Sequence, residues 1–223
     1  MGKYETKFGP QLKKEKSCAE FIPYSCHVDE KTVRTENGDY IQVVKLGGVC
    51  HETVDTSQIN AWHNNRNQLY KLLQNQNCGV WTTIIRCEHK DYPSGEYTEG
   101  FAKDLNERYK SAIQSQKIYV NNMYLVLVLR STFKIPFLKG LFNKDTGLEK
   151  KANQNSIKTL SDISQKVLKM MKRYDPELLS TYEYNDITYS KVYEYFSHII
   201  NGAYRRVPLT RRSAKEILSV SRQ

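Results

Sequence analysis

Six consecutive residues, Tyr124 to Leu129 (YLVLVL), are apolar at every position. The run is far too short to span a bilayer, which takes about 20 apolar residues. A strand with one wet face would alternate, and this one does not. It therefore reads as a central strand, covered on both faces. Such a strand needs partners along both edges and a packed layer on each side, so the chain must build a sheet with helices against it.

The flanking sequence supplies those parts. Thr32–Thr35 and Tyr40–Leu46 are β-rich and are separated by Glu36-Asn37-Gly38-Asp39, whose Asn-Gly pair signals a hairpin turn. Gly47-Gly48 closes the second strand. Asp55 offers an N-cap, and Gln58 three residues on completes a capping-box pattern. The stripe Ile59, Trp62, Leu69, Leu72, Leu73 then predicts a helix to about Gln76, with a narrow buried face. Val80–Arg86 reads as a strand by its β-branched content. A second helix carries Phe101, Leu105, Tyr109, Ala112 and Ile113 on one face, and a third runs from about Leu148 to Tyr174 before Asp175-Pro176 stops it. Leu178–Tyr184 suits another strand, and Val192, Tyr193, Phe196, Ile199 and Ile200 stripe a final helix ending at Asn201-Gly202. The order β-β-α-β-α-β-α-β-α predicts a single α+β domain: a mixed β-sheet with helices packed against it, starting with a β-hairpin.

Charge is concentrated at the edges. The 223 residues carry a formal +10. Residues 1–16, 131–151 and 203–223 contribute +3, +3 and +5, which leaves the central body close to neutral. Basic edges suit solvation and suit anionic partners such as headgroups, nucleic acid or an acidic protein face. Residues 1–19 read as a flexible basic lead-in, 20–210 as the folded domain and 211–223 as a basic C-terminal segment. No signal-peptide pattern opens the chain, so a cytoplasmic location is expected.

Catalytic chemistry finds little support. The five cysteines, at 18, 26, 50, 78 and 87, include no C-x-x-C pair, and the five histidines are scattered. No G-x-x-x-x-G-K-[ST] loop is present to surround a phosphate with backbone N–H groups and a lysine. His27 and Asp29 could share a strand face, yet the sequence places no nucleophile beside them. No catalytic, cofactor-binding or metal-binding residue is assigned.

A series of short motifs, in continuous order over about residues 20–210, does carry a resemblance. Phe21-Ile22-Pro23-Tyr24 with His27-Val28-Asp29, Asn37-Gly38 with YIQVVKLGG, Glu52-Thr53 through Asp55, Ile59–Trp62 with Arg66-Asn67, and NNMYLVLVLR at 121–130 follow one another. Tyr189-Ser190, Tyr195-Phe196, Asn201-Gly202 and Val207-Pro208-Leu209 close the series. Together they resemble the N-terminal domain of the VirB/TrbE/CagE-type conjugal transfer ATPases of type IV secretion systems. The resemblance implies a docking and oligomerisation domain on the cytoplasmic face of the bacterial inner membrane. Its implied partners are a small VirB/TrbD-like membrane component and other secretion-channel proteins, and the full-length form would be a homo-oligomer. The family's motor, with its Walker motifs, ATP and Mg²⁺, is expected outside these 223 residues, so no cofactor is expected in this chain. The alternative is a stand-alone basic nucleic-acid-binding module that uses the arginine-rich tail and tyrosines on single strands.

One segment invites a contact assignment. Between Ser131 and Lys151, large apolar residues including Phe137 and Phe142 sit among Lys134, Lys139 and Lys144. Pro136 and Gly140 oppose a long helix there. Burial on the domain's own core is one outcome. The other is contact with a membrane partner, with the lysines on anionic headgroups, each worth about 1 kcal/mol.

Overall fold

A computed structural model of the chain describes residues 18–50, 52, 54–74, 76–89, 92, 95, 100–130 and 147–219. Strands β1 (Tyr24–His27), β2 (Val33–Thr35), β3 (Tyr40–Leu46), β4 (Cys78–His89), β5 (Ile118–Leu129) and β6 (Pro176–Leu178) form a six-stranded sheet. The strand β7 (Thr181–Tyr184) pairs with β8 (Ile187–Ser190) in a separate hairpin. The helices are α1 (Thr56–Leu73), α2 (Phe101–Gln114), α3 (Gly147–Met170), α4 (Lys191–Asn201) and α5 (Ala214–Leu218). The α+β class is as expected, and β5 lies between β3 and β4, as its apolar run demands.

Every described pairing is antiparallel, which corrects the expected mixture of parallel and antiparallel pairs. The crossovers exist, but each skips a strand. From β3 the chain passes through α1 to β4, which runs the same way with antiparallel β5 between them. From β5 it returns through α3 to β6, again in the same direction, with β3 between. The unit β3-α1-β4-β5-α3-β6, with sheet order β6-β3-β5-β4, is the split βαββαβ arrangement of ferredoxin-like folds. In that arrangement β4 and β5 form a hairpin, and α2 is inserted into its connection.

Two cores lie on the two faces of the sheet. Leu125, Leu127 and Leu129 of β5 join Tyr40 and Val44 under Leu160, Ile163 and Val167 of α3 and Leu69 and Leu73 of α1. On the other face Val126 joins Val33, Ile41 and Val43 under Val192, Tyr193 and Phe196 of α4. Each such side chain contributes about 1.5–3 kcal/mol on burial. Ala214 and Leu218 of α5 are fully buried in this second core, so the basic C-terminal stretch also carries packing residues.

Several boundaries shift. Asp55 takes an extended N-cap conformation, but its side chain makes no capping bond, so the capping box is not formed. The α1 helix stops at Leu73 rather than Gln76, and β4 and β5 are longer than predicted. The α3 helix stops at Met170 and tightens into a 3₁₀ turn at Lys172–Tyr174, and Asp175, in the left-handed region at φ 47°, then turns the chain. The strand expected over Leu178–Tyr184 is split between β6 and β7. The partner of β7, β8, is reached through Asn185 and Asp186, both left-handed at φ 50° and 58°.

Candidate functional site

The contact residues suggested by sequence, Lys134, Phe137, Lys139, Phe142 and Lys144, lie outside the described residues, as does most of the lead-in. His27 is described, and its role differs from the shared strand face expected. Its Nδ1 donates to the Asp29 carbonyl at 2.9 Å, which leaves Nε2 to accept from the Ser190 hydroxyl at 2.7 Å. The Asp29 carboxylate instead accepts the Lys31 and Thr32 N–H groups and fixes the β1–β2 turn. Ser190 is fully buried and accepts the Tyr193 N–H as the α4 N-cap. A serine beside a histidine is nucleophile chemistry in an open cleft. Here no substrate reaches the hydroxyl, and the pair ties β1 to the start of α4. Burial pushes His27 below its ordinary pKa, against a weaker upward pull from Asp29, and favours the neutral ring.

A polar cleft of about 200 Å³ opens beside α4. Within it Glu194 is 4% exposed and accepts from the hydroxyls of Tyr182 (2.6 Å) and Tyr204 (2.9 Å). Lys191 pairs with Glu177. Desolvation, reinforced by the hydrogen bond to Glu194, raises the Tyr204 phenol to about 12. These groups satisfy one another, so the cleft braces β7, α4 and the following loop. Two of the C-terminal arginines are likewise committed: Arg205 donates to Ser197 and to the Ile217 carbonyl, and the Arg206 guanidinium stacks 4.0 Å over Tyr184. Arginines engaged in this way are poorly placed to track a phosphate backbone.

The opposite face of the sheet is unlike this. A groove of about 380 Å³ runs between α1, the end of α3 and the β4–β5 pair. Its walls include Trp62, Leu69, Ile84, Met123, Met170 and Met171, with Arg66 and Arg173 alongside. Methionines adapt their shape to an incoming apolar surface. The Arg173 guanidinium lies 4.6 Å over the Trp62 ring, and the Trp62 indole N–H is buried with no hydrogen-bond partner among the described residues. A buried donor left unpaired costs about 1–3 kcal/mol.

A second apolar surface stands apart. Met123 is the last residue of β5 to pair with β3, so residues 118–122 continue with 85–89 as a two-stranded ribbon beyond the sheet. Helix α2 ends three residues before that ribbon strand begins. The periodicity of α2 was legible, but its predicted apolar face is not covered: Phe101, Leu105 and Tyr109 are 81%, 54% and 61% exposed. Sequence reading missed the groove, because its walls come from elements far apart in sequence whose apolar residues each look like ordinary core.

Residues 31–135 match the family profile "Type IV secretion system ATPase VirB4/TrbE, N-terminal domain". A type IV secretion system protein virB4 of Bartonella quintana (strain Toulouse) is 28% identical over 203 residues, covering 89% of this chain and 26% of the relative. The virB4 protein of Brucella suis biovar 1 is 24% identical over 215 residues (91% and 26%), and that of Rhizobium radiobacter 23% over 198 (87% and 25%). The chain thus spans about a quarter of the length of these curated relatives. No helix among the described residues is long and apolar enough to cross a membrane. With one profile over residues 31–135 and virB4 proteins aligned over most of its length, this chain is similar to the N-terminal domain of the type IV secretion ATPase VirB4/TrbE family.

Proposed function

We propose that this domain docks and assembles a type IV secretion ATPase rather than carrying out its chemistry. The supporting observation is the contrast between the polar groups of the α4 cleft, which satisfy one another, and the apolar groove and α2 stripe, which face solvent. Docking would take place at the cytoplasmic face of the inner membrane, on a small VirB/TrbD-like component and other channel proteins. Lys134, Lys139 and Lys144 would meet anionic headgroups there, and Phe137 and Phe142 would be buried at the contact. Nucleotide hydrolysis would belong to a motor carrying Walker motifs, and these 223 residues include no such loop.

The test is co-sedimentation of the chain with vesicles of phosphatidylglycerol and phosphatidylethanolamine, with and without the membrane component. Replacing the three lysines by Glu should weaken binding and leave the melting temperature unchanged. Equal binding by wild type and variant would remove the membrane contact. Micromolar ATP binding by calorimetry would overturn the division of labour.

A further inference from the structure

Among the described residues nothing fills the groove or covers the α2 stripe, and the ribbon keeps the two apart. Groove walls Ile84 and Met123 mark the base of the ribbon, while α2 is joined to its tip. Five residue pairs at about 3.4 Å each place that tip roughly 17 Å from the groove wall. No α2 residue lines the groove. We propose that the groove receives helix α2 of a second copy of this chain, so that two chains exchange arms across a twofold axis. The proposal rests on the assembly half of the reading above and names its partner surface.

Complementarity favours this occupant. Phe101, Leu105 and Tyr109 recur every four residues and form one apolar stripe, the pattern of helix-in-groove anchors. Asp104 lies beside the stripe, and the groove carries Arg66 and Arg173, neither of them ion-paired to a carboxylate among the described residues. An arm and a groove on one chain make an isologous contact that closes with two identical seats. A large aromatic buries about 150–250 Å². Two seats, each with two aromatics, a leucine and the facing walls, approach the ~1,600 Å² of a standard stable interface.

Mixing two defective chains tests the exchange. Leu105→Asp spoils the arm and Ile84→Asp spoils the groove, and both residues are more than half exposed, so the fold should survive. By sedimentation velocity the 223-residue chain should form a dimer. Each variant alone should dimerise at least ~100-fold more weakly, since both seats are lost. An equimolar mixture should regain a heterodimer of intermediate affinity, because one arm and one groove remain intact. A wild-type chain that stays monomeric at 100 µM overturns the proposal, as does a ring or filament. Normal dimerisation of Ile84→Asp overturns it too, since the arms would then be pairing with each other. Should either variant fail to fold, a photo-crosslinker at Tyr109 in isotopically mixed chains must link to groove peptides of the other chain. Links only within one chain overturn the exchange. Vesicle binding is read separately, so failure of the exchange with normal membrane binding leaves the docking reading intact.

Discussion

The two halves of β5 pair with the same strand, β4, and have opposite fates. Residues 125–129 lie between β3 and β4 with a helix layer on each face, and Val126 is 1% exposed. Residues 118–122 pair with β4 alone, and Ile118, Tyr119 and Val120 remain 39–46% exposed. The difference lies in the length of β3, which ends at Leu46 opposite Met123. One half is held by burial and the other by a ladder and its neighbours' side chains. A domain that uses apolar surface for assembly can leave that surface exposed only where its own fold does not depend on it.

The largest expected effect divides the halves directly. Val126→Asp would bury a carboxylate between Val43 and Trp81, its cross-strand neighbours, with no partner. It should cost ~4 kcal/mol or more, close to the total stability of many domains. The same change at Val120 should cost less than ~1 kcal/mol, the scale of exposed strand propensities. Urea melts of both variants at high dilution check this. Equal losses would mean that the ribbon is as essential as the sheet, and the comparison would break.

Next in size is the brace around α4. Ser190→Ala removes the N-cap and the donor to His27 Nε2 together, and should cost about 1–3 kcal/mol. Ser115→Ala, at the C-terminal end of α2, should cost under ~0.5 kcal/mol, because its hydroxyl bonds an exposed carbonyl that water can satisfy. A Ser190→Ala melt within error of wild type would show that the β1–α4 tie is not needed.

What was legible follows the same division. The apolar run, the Asn-Gly hairpin and the α4 stripe with its Gly202 stop were readable because local pattern and burial agree there. The crossovers were readable as connections, but not the skipped strands, since strand order depends on contacts far apart in sequence. The β7–β8 hairpin was missed because Asn185-Asp186, just past the strand expected over Leu178–Tyr184, lacks the glycine usual for a left-handed pair, so no returning strand was expected after it. Periodicity gave the apolar face of α2 correctly and its burial wrongly. A hydrophobic stripe states that a helix has a partner, without stating that the partner is in the same chain.

Smaller effects come from pH, and they fall on the packed region. The His27 pKa is lowered by burial from 6.5, so below that value the unfolded chain binds the proton first. Stability should therefore decline as pH falls through 6.5 and level off below the folded pKa. Tyr24 and Tyr193 are raised by burial from 10.0 to about 12, so the folded chain keeps its phenolic protons longer. Stability should fall as pH rises past 10 and continue to fall to about 12. Melting temperature against pH should show a plateau between these limits, and His27→Gln should flatten its acid side below pH 6.5. An unchanged acid limb in that variant would assign it to other groups.

The smallest effect expected is at the outermost residue of the arm, and it sharpens the comparison most. Phe101 opens α2 and is 81% exposed, so Phe101→Ser removes a large aromatic that meets little of its own chain. At dilution the melting temperature should move by no more than ~0.5 kcal/mol equivalent, the range of surface substitutions. At high concentration a seated arm would add binding energy to the wild type alone, since a partner that binds only the folded state stabilises it by mass action. The two proteins should then separate, with the wild type melting higher as concentration rises and the variant lagging. A loss above ~1 kcal/mol at dilution would place Phe101 in the domain's own core. Coincident melts at every concentration would mean that this side chain contributes nothing to a seat, which would confine the contact to Leu105 and Tyr109 further along the helix.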